Sequence, residues 1–280
     1  MLSHSELRYV LALLRTPNLG DISIKKLLAT VGSAEGIFNE KNSRLAKIEG
    51  IGQFRIRNLH RKNQLEAADR EMRFIQDNQI DCYYFLDKRY PELLKHCIDG
   101  PVLLFGKGNI DLQNRKIISV VGTRRVTNYG EGFCEELIAE LAPLNPVIVS
   151  GLAYGVDVCA HRAAIENGLQ TIACLGHSLD QVYPKKHKIY VEDILKNGGF
   201  LSEFWSDDPF DRNNFLRRNR VIAGLSEATI VIESAERGGS LVTADIANSY
   251  NREVFAVPGR ATDTQSRGCN NLIKQQKRMC

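Results

Sequence analysis

Residues 207–220 read Asp-Asp-Pro-Phe-Asp-Arg-Asn-Asn-Phe-Leu-Arg-Arg-Asn-Arg. Arg212, Arg217, Arg218 and Arg220 thus crowd two rings, Phe210 and Phe215, with asparagines interleaved. An aromatic ring stacks on any base, worth about 1–3 kcal/mol, while arginines follow a phosphate backbone. Asparagine amides can bond base edges or phosphates. The chemistry on offer is capture of an unpaired polynucleotide. The same residues suit a solvated helix equally well, with Phe215 turned inward and the arginines paired to Asp207, Asp208 and Asp211. Composition leaves both readings open. Lys185, Lys186 and Lys188, after Tyr183-Pro184, extend the basic character on the same terms.

Three glycine-containing turns offer a second kind of chemistry. Gly122-Thr123-Arg124-Arg125 follows Val121, Ser150-Gly151-Leu152-Ala153-Tyr154-Gly155 follows Val149, and Glu233-Ser234-Ala235-Glu236-Arg237-Gly238-Gly239-Ser240 follows Ile232. Each joins an apolar run to a helical pattern, so free helix amides and the helix dipole prepare an anion site. Gly151 to Gly155 is not the G-x-G-x-x-G of dinucleotide binders. Gly238-Gly239-Ser240 lacks the lysine of a Walker A loop. No acidic residue stands where a ribose would need one, so no cofactor is expected. Asp157 and His161, four apart at a helix start, could pair as acid and base. A structural aspartate and histidine is the plainer account. With no metal-ligand cluster and no nucleophile motif, neither a catalytic residue nor a metal site is expected. The rival class is a Rossmann-like nucleotide or nucleotide-sugar hydrolase on the same loops. It would need a carboxylate over the phosphate, with Glu233 and Glu236 the candidates.

The elements that must hold these residues are legible from periodicity. Apolar runs at Cys82–Leu86, Val102–Phe105, Ile117–Val121, Val147–Val149, Thr171–Leu175, Phe200–Ser202, Thr229–Ile232 and Val254–Val257 alternate with helical stretches. Cys134, Leu137, Ile138 and Leu141 mark one helix face, and Val158 to Ala164 another. Continuous apolar strands alternating with helices predict an α/β fold: a Rossmann-like, doubly wound, mainly parallel sheet. Ligands of such sheets sit at the carboxyl ends of the strands, where all three turns fall.

Residues 1–66 instead predict a small all-helical domain. Leu7, Val10, Leu11 and Leu14 make one amphipathic face, and Ser3 and Glu6 stand at capping-box spacing before it. Ile24, Leu27, Leu28 and Val31 make a second, ended by Gly32. Gly50-Ile51-Gly52 between short helices looks like a helix-hairpin-helix turn of a SAM-like domain, with Arg55, Arg57, His60, Arg61 and Lys62 behind it. Contact with a phosphate and a plain tight turn both fit. Leu65, Ala68, Met72 and Ile75 lead into residues 67–275.

The chain has 280 residues, a net charge of +4 and 43% hydrophobic residues, so any nucleic-acid signal must lie in local clusters. Its seven cysteines are scattered without C-x-x-C pairs, which predicts reduced thiols. No apolar run is long enough to span a bilayer, and the first residues lack a signal-peptide pattern. A cytoplasmic protein without a membrane partner is expected.

Several blocks resemble one family. Val120 to Arg125, Ser150 to Asp157 with Ala160-His161, Tyr183-Pro184, Ser202-Glu203, Phe215 to Arg220, Gly239 to Ala244, Val257-Pro258-Gly259 and Gly268 to Ile273 are similar, in order, to the DprA/Smf DNA-processing proteins. Each block is weak alone; their order over residues 70–275 is specific. The resemblance implies an extended Rossmann-like domain, single-stranded DNA binding without chemistry, a homodimer, and loading of the RecA recombinase during natural transformation and recombination. It implies that Arg124 holds a phosphate beside Gly122, that Arg212 does likewise, and that Phe215 stacks against a base. Thr123, Arg125, Gly151, Arg218, Asn219, Gly239 and Ser240 complete the implied DNA site. Many members continue into a winged helix; here residues 276–280 read as a basic tail, so either this member lacks that domain or the chain stops short of it.

Overall fold

The apolar runs become strands because β-branched side chains buried on both faces fit a pleated sheet better than a helix. The computed structural model describes residues 2–59 and 62–275. They form two compact units, Met1–Tyr90 with Ile98–Leu104, and Pro91–Cys97 with Phe105–Cys280.

The first unit holds α1 (His4–Leu14), α2 (Asp21–Val31), α3 (Ala34–Asn39), α4 (Asn42–Leu45), α5 (Gln53–Ile56) and α6 (Lys62–Asp77), then β1 (Asp81–Tyr84). Ser3 caps α1 by accepting the Glu6 amide at 3.1 Å. The Glu6 carboxylate does not return the bond. It accepts the Ala34 amide at 2.6 Å and caps α3 instead. Gly32 ends α2 at φ +97°, where its amide donates to the Leu28 carbonyl at 2.8 Å. The domain boundary expected after residue 66 falls inside α6, whose apolar stripe through Ala68, Met72 and Ile75 is buried and holds the whole helix in this unit. In the glycine turn between α4 and α5, Ile51 is buried and Gly50 takes φ +77°. Arg55 donates to the Ser23 hydroxyl, and Arg57 lies 4.3 Å from the centre of the Phe54 ring. His60 and Arg61 lie outside the described residues, as do residues 276–280 of the basic tail.

The second unit holds α7 (Glu92–Lys95), most of β2 (Leu103–Gly108), β3 (Ile117–Val121), α8 (Asn128–Leu141), β4 (Val147–Ser150), α9 (Val156–Glu166) and β5 (Thr171–Cys174). It continues with α10 (Val191–Lys196), β6 (Gly198–Ser202), α11 (Asn213–Leu225), β7 (Ala228–Val231), α12 (Gly239–Ser249), β8 (Glu253–Ala256) and α13 (Arg267–Gln275). The strand order is β2-β6-β5-β4-β3-β7-β8. Every neighbouring pair is parallel except β2–β6, whose register sets Phe105 against Ser202. All eight expected strands are present, and the doubly wound α/β fold is the one the pattern predicts.

Winding proceeds from β3 through β4 and β5 to β6 on one side, and to β7 and β8 on the other. The switch point therefore lies between β3 and β7, where a crevice opens at the carboxyl ends. Alternation along the strands sends Ile118 and Val120 into a core with Cys134 and Ile138 of α8 and Val156 and Ala160 of α9. Arg162 of α9 ion-pairs with Glu131 at 2.7 Å and with Glu135, tying α9 to α8. The six cysteines among the described residues are free thiols, five of them buried. No helix among the described residues is long and apolar enough to cross a membrane.

Candidate nucleic-acid interface

The three glycine turns meet at the switch point and are bonded to one another. The Thr123 amide donates to the Glu233 carbonyl at 2.7 Å, and the Val156 amide donates to the Thr123 carbonyl at 3.1 Å. Gly155 makes the second contact possible. It sits at φ +79°, and a Cβ there would overlap the Thr123 carbonyl oxygen and the Arg124 backbone. Thr123 Oγ1 donates to Gln265 at 2.9 Å and accepts the Arg125 amide at 3.1 Å.

Between these turns lies a cavity of about 400 Å³. Gly122, Thr123, Arg124, Arg125, Phe215, Arg218, Asn219, Gly239 and Ser240 all line it, nine of the eleven residues expected from the sequence. Gly151 lies just behind the wall, since a Cβ there would strike Arg218 and Asp157. Arg212 is exposed and outside the lining; its carbonyl accepts the Phe215 amide at 3.3 Å, one turn away. Sequence reasoning did not single out Asp157 and Arg237 as lining residues. Arg237 stood in a turn already marked for anions, so its signal was present. Asp157 shares the α9 start with Gly155, but only the tertiary fold turns it to the cavity.

Charge around the cavity divides into a free set and a fixed set. Arg124, Arg125 and Arg237 are exposed at its mouth. The N-terminus of α12 also lines it, and its cap residue Gly238 offers no side chain to satisfy the first amides. Arg218 is fixed: it is only 6% exposed, and Nη1 donates to the Cys174 carbonyl at 2.5 Å. Burial pulls its pKa down against the pull of Asp157. Burial pushes the Asp157 carboxyl up, opposed by Arg218 and the Ala153 amide. Asn219 also faces inward, its side-chain nitrogen 3.5 Å from the Gly239 carbonyl.

His161 does not face Asp157. Its ring is fully buried between the Thr171 hydroxyl and the Gly151 carbonyl, each at 2.6 Å, and burial lowers its pKa to about 4. It is therefore a neutral clamp on the second glycine turn. Glu233 is likewise engaged. Its two oxygens accept the Thr127 amide at 2.8 Å and the Thr127 hydroxyl at 2.6 Å, at the cap of α8. Glu236 is exposed and outside the cavity lining.

The basic stretch resolves into parts of both readings. Arg217 and Arg220 converge on the buried carboxylate of Glu203 at 2.6 and 2.5 Å, structural charges whose partner is not one of the three aspartates named from the sequence. Phe215 is half-buried. One part of its ring lines the cavity, and another packs 5.6 Å from Phe210 and 5.7 Å from Tyr183. Gly176 lies beneath it, where a Cβ would stand 3.0 Å from the ring.

Residues 81–280 match the family model described as DNA recombination-mediator protein A. The chain is similar to Protein Smf of Synechocystis sp., with 32% identity over 97% of this chain and 69% of that one. It is similar to DNA processing protein DprA of Streptococcus pneumoniae, with 42% identity over 78% of this chain and 76% of that one. The X-ray structure of the S. pneumoniae DNA processing protein A aligns with a TM-score of 0.78 and 34% identity, covering 96% of this chain and 93% of that chain. The Helicobacter pylori DNA processing protein A, whose structure concerns its single-stranded DNA binding mode, aligns at 0.63 with 32% identity, over 70% and 88%.

Proposed function

This chain belongs to the DNA recombination-mediator protein A family, and from that premise we propose that it binds single-stranded DNA in the cavity between β3 and β7. The observation that carries the reading is convergence. Exposed guanidinium groups, uncapped helix amides and a half-buried ring share one cavity at a sheet's switch point. In this reading Arg124, Arg125 and Arg237 neutralise successive phosphates, the amides of Gly239 and Ser240 add uncharged donors, and Phe215 stacks on a base. Arg218 and Gly151 hold the wall in shape. Arg212, one turn before Phe215, meets the strand as it leaves.

The protein acts on DNA by holding it. In the same proposal it works as a homodimer in the cytoplasm, processes incoming DNA during transformation and delivers the strand to RecA. The family's description as a recombination mediator and the H. pylori relative's single-strand binding support the DNA-binding part of this course.

Filter binding with single-stranded DNA, duplex DNA and free nucleotide tests the first claim. Single strands should bind far more tightly than either alternative. Retention of a free nucleoside phosphate with indifference to oligonucleotides would transfer the cavity to the hydrolase reading. RecA filament growth on coated strands, followed with and without the protein, tests delivery; sedimentation tests the dimer.

A further inference from the structure

A second cavity, of about 540 Å³, opens beside the first aromatic wall. Tyr183 and Phe210 line it, and both rings are also packed against Phe215. Phe215 in turn lines the glycine-turn cavity, so one aromatic cluster separates two hollows. Tyr183 and Phe210 remain 47% and 46% exposed, although their ring centres stand only 5.0 Å apart. Two large rings tilted 60° to one another and half open to water leave apolar surface uncovered, and a flat aromatic partner would cover the face of one and meet the edge of the other. Lys185 and Lys188 stand on the rim, both exposed. Asp180 and Glu192 share that rim, so its net charge is close to balanced. Stacking, more than charge, must supply any selectivity here.

We propose that the Tyr183–Phe210 ledge seats a second base of the same strand, next to the one that stacks on Phe215. The inference rests on the single-strand reading of the first cavity. An unpaired nucleotide is the occupant that fits. Its base stacks on a ring face without needing a particular hydrogen-bond pattern, and its phosphate meets Lys185 or Lys188. A duplex would not serve, because its bases are already stacked on one another. The ledge extends the binding path beyond the glycine turns toward the segment after β5, and it gives Tyr183-Pro184 and the lysines behind it a role.

The test uses the full chain and oligothymidylates in which one nucleotide at a time is made abasic. In the unaltered protein, two adjacent positions should each cost about 5- to 150-fold in affinity when the base is removed, the range for one base on one aromatic side chain. In Phe210→Leu, which keeps apolar bulk for Phe215 to lean on, the penalty at one of those positions should vanish while the other persists. In Phe215→Leu the pattern should reverse. Loss of both penalties in Phe210→Leu would mean that the ledge only props Phe215, and would overturn the proposal. So would retention of both. If the unaltered protein binds no oligothymidylate at all, the single-strand reading itself fails, a result distinct from either of these.

Discussion

Replacing Arg124 by alanine should flatten the salt dependence of single-strand binding by a defined amount. Three exposed arginines, Arg124, Arg125 and Arg237, line the cavity. Arg218 is not counted with them, because it is buried and already donates to the Cys174 carbonyl. Each phosphate neutralised on a single strand contributes about 0.7 to the slope of log affinity against log salt, so three contribute roughly 2.1. With Arg212, which meets the strand outside the cavity, the slope is roughly 2.8, so a tenfold rise in salt should weaken binding about 600-fold, and only about 100-fold in Arg124→Ala. Arg212→Ala should likewise remove ~0.7 from the parental slope. Fluorescence anisotropy with a labelled oligothymidylate across a salt series measures both slopes, and circular dichroism checks that each variant is folded. A folded Arg124→Ala protein with the parental slope would refute the claim that this guanidinium meets a phosphate. A parental slope near zero would remove the electrostatic reading of the whole cavity.

Phe215→Ala should weaken binding by about 1–3 kcal/mol with the salt slope unchanged, because stacking releases no counterions; unfolding would instead assign the ring to the core. His161 should make the fold acid-sensitive. Its folded pKa of about 4 lies below the usual 6.5, so the unfolded chain takes up a proton that the folded one refuses. Its contribution is complete above pH 6.5 and lost progressively as pH falls toward 4, by about 3 kcal/mol in all. Urea titrations at pH 7 and pH 4 should show a smaller difference for His161→Gln than for the parent, and an equal difference would sink the assignment. Glu233→Ala should lower stability by about 3 kcal/mol, since two bonds from Thr127 to a charged acceptor are lost. Chemical denaturation measures this, and an unchanged midpoint would contradict the capping role.

Local signals carried much of this architecture into the sequence. The strand runs and the turns behind them were readable because burial on both faces leaves an unbroken apolar stretch, and because glycine and helix-start residues punctuate its end. Ile117–Val121 was legible to the residue. Gly155 was visible as a glycine, but not its reason, which is the carbonyl of Thr123 pressed against it from another turn. The basic stretch was the least decipherable part. Its arginines look alike in one dimension, yet Arg217 and Arg220 serve Glu203 at the end of β6, Arg218 is buried beside Asp157, and Arg212 stays in water. Which fate each takes depends on partners far along the chain. The Tyr183–Phe210 ledge was similarly hidden, being a product of how distant segments meet.

The bonds that join the glycine turns bear on how quickly a ligand is captured. Because Thr123 is fastened to Glu233, Val156 and Gln265 at once, the receptor groups are in position before any encounter. Little backbone freedom remains to be lost there on arrival. Capture should therefore be a single bimolecular event, with a stopped-flow rate that climbs in proportion to oligonucleotide concentration without levelling off.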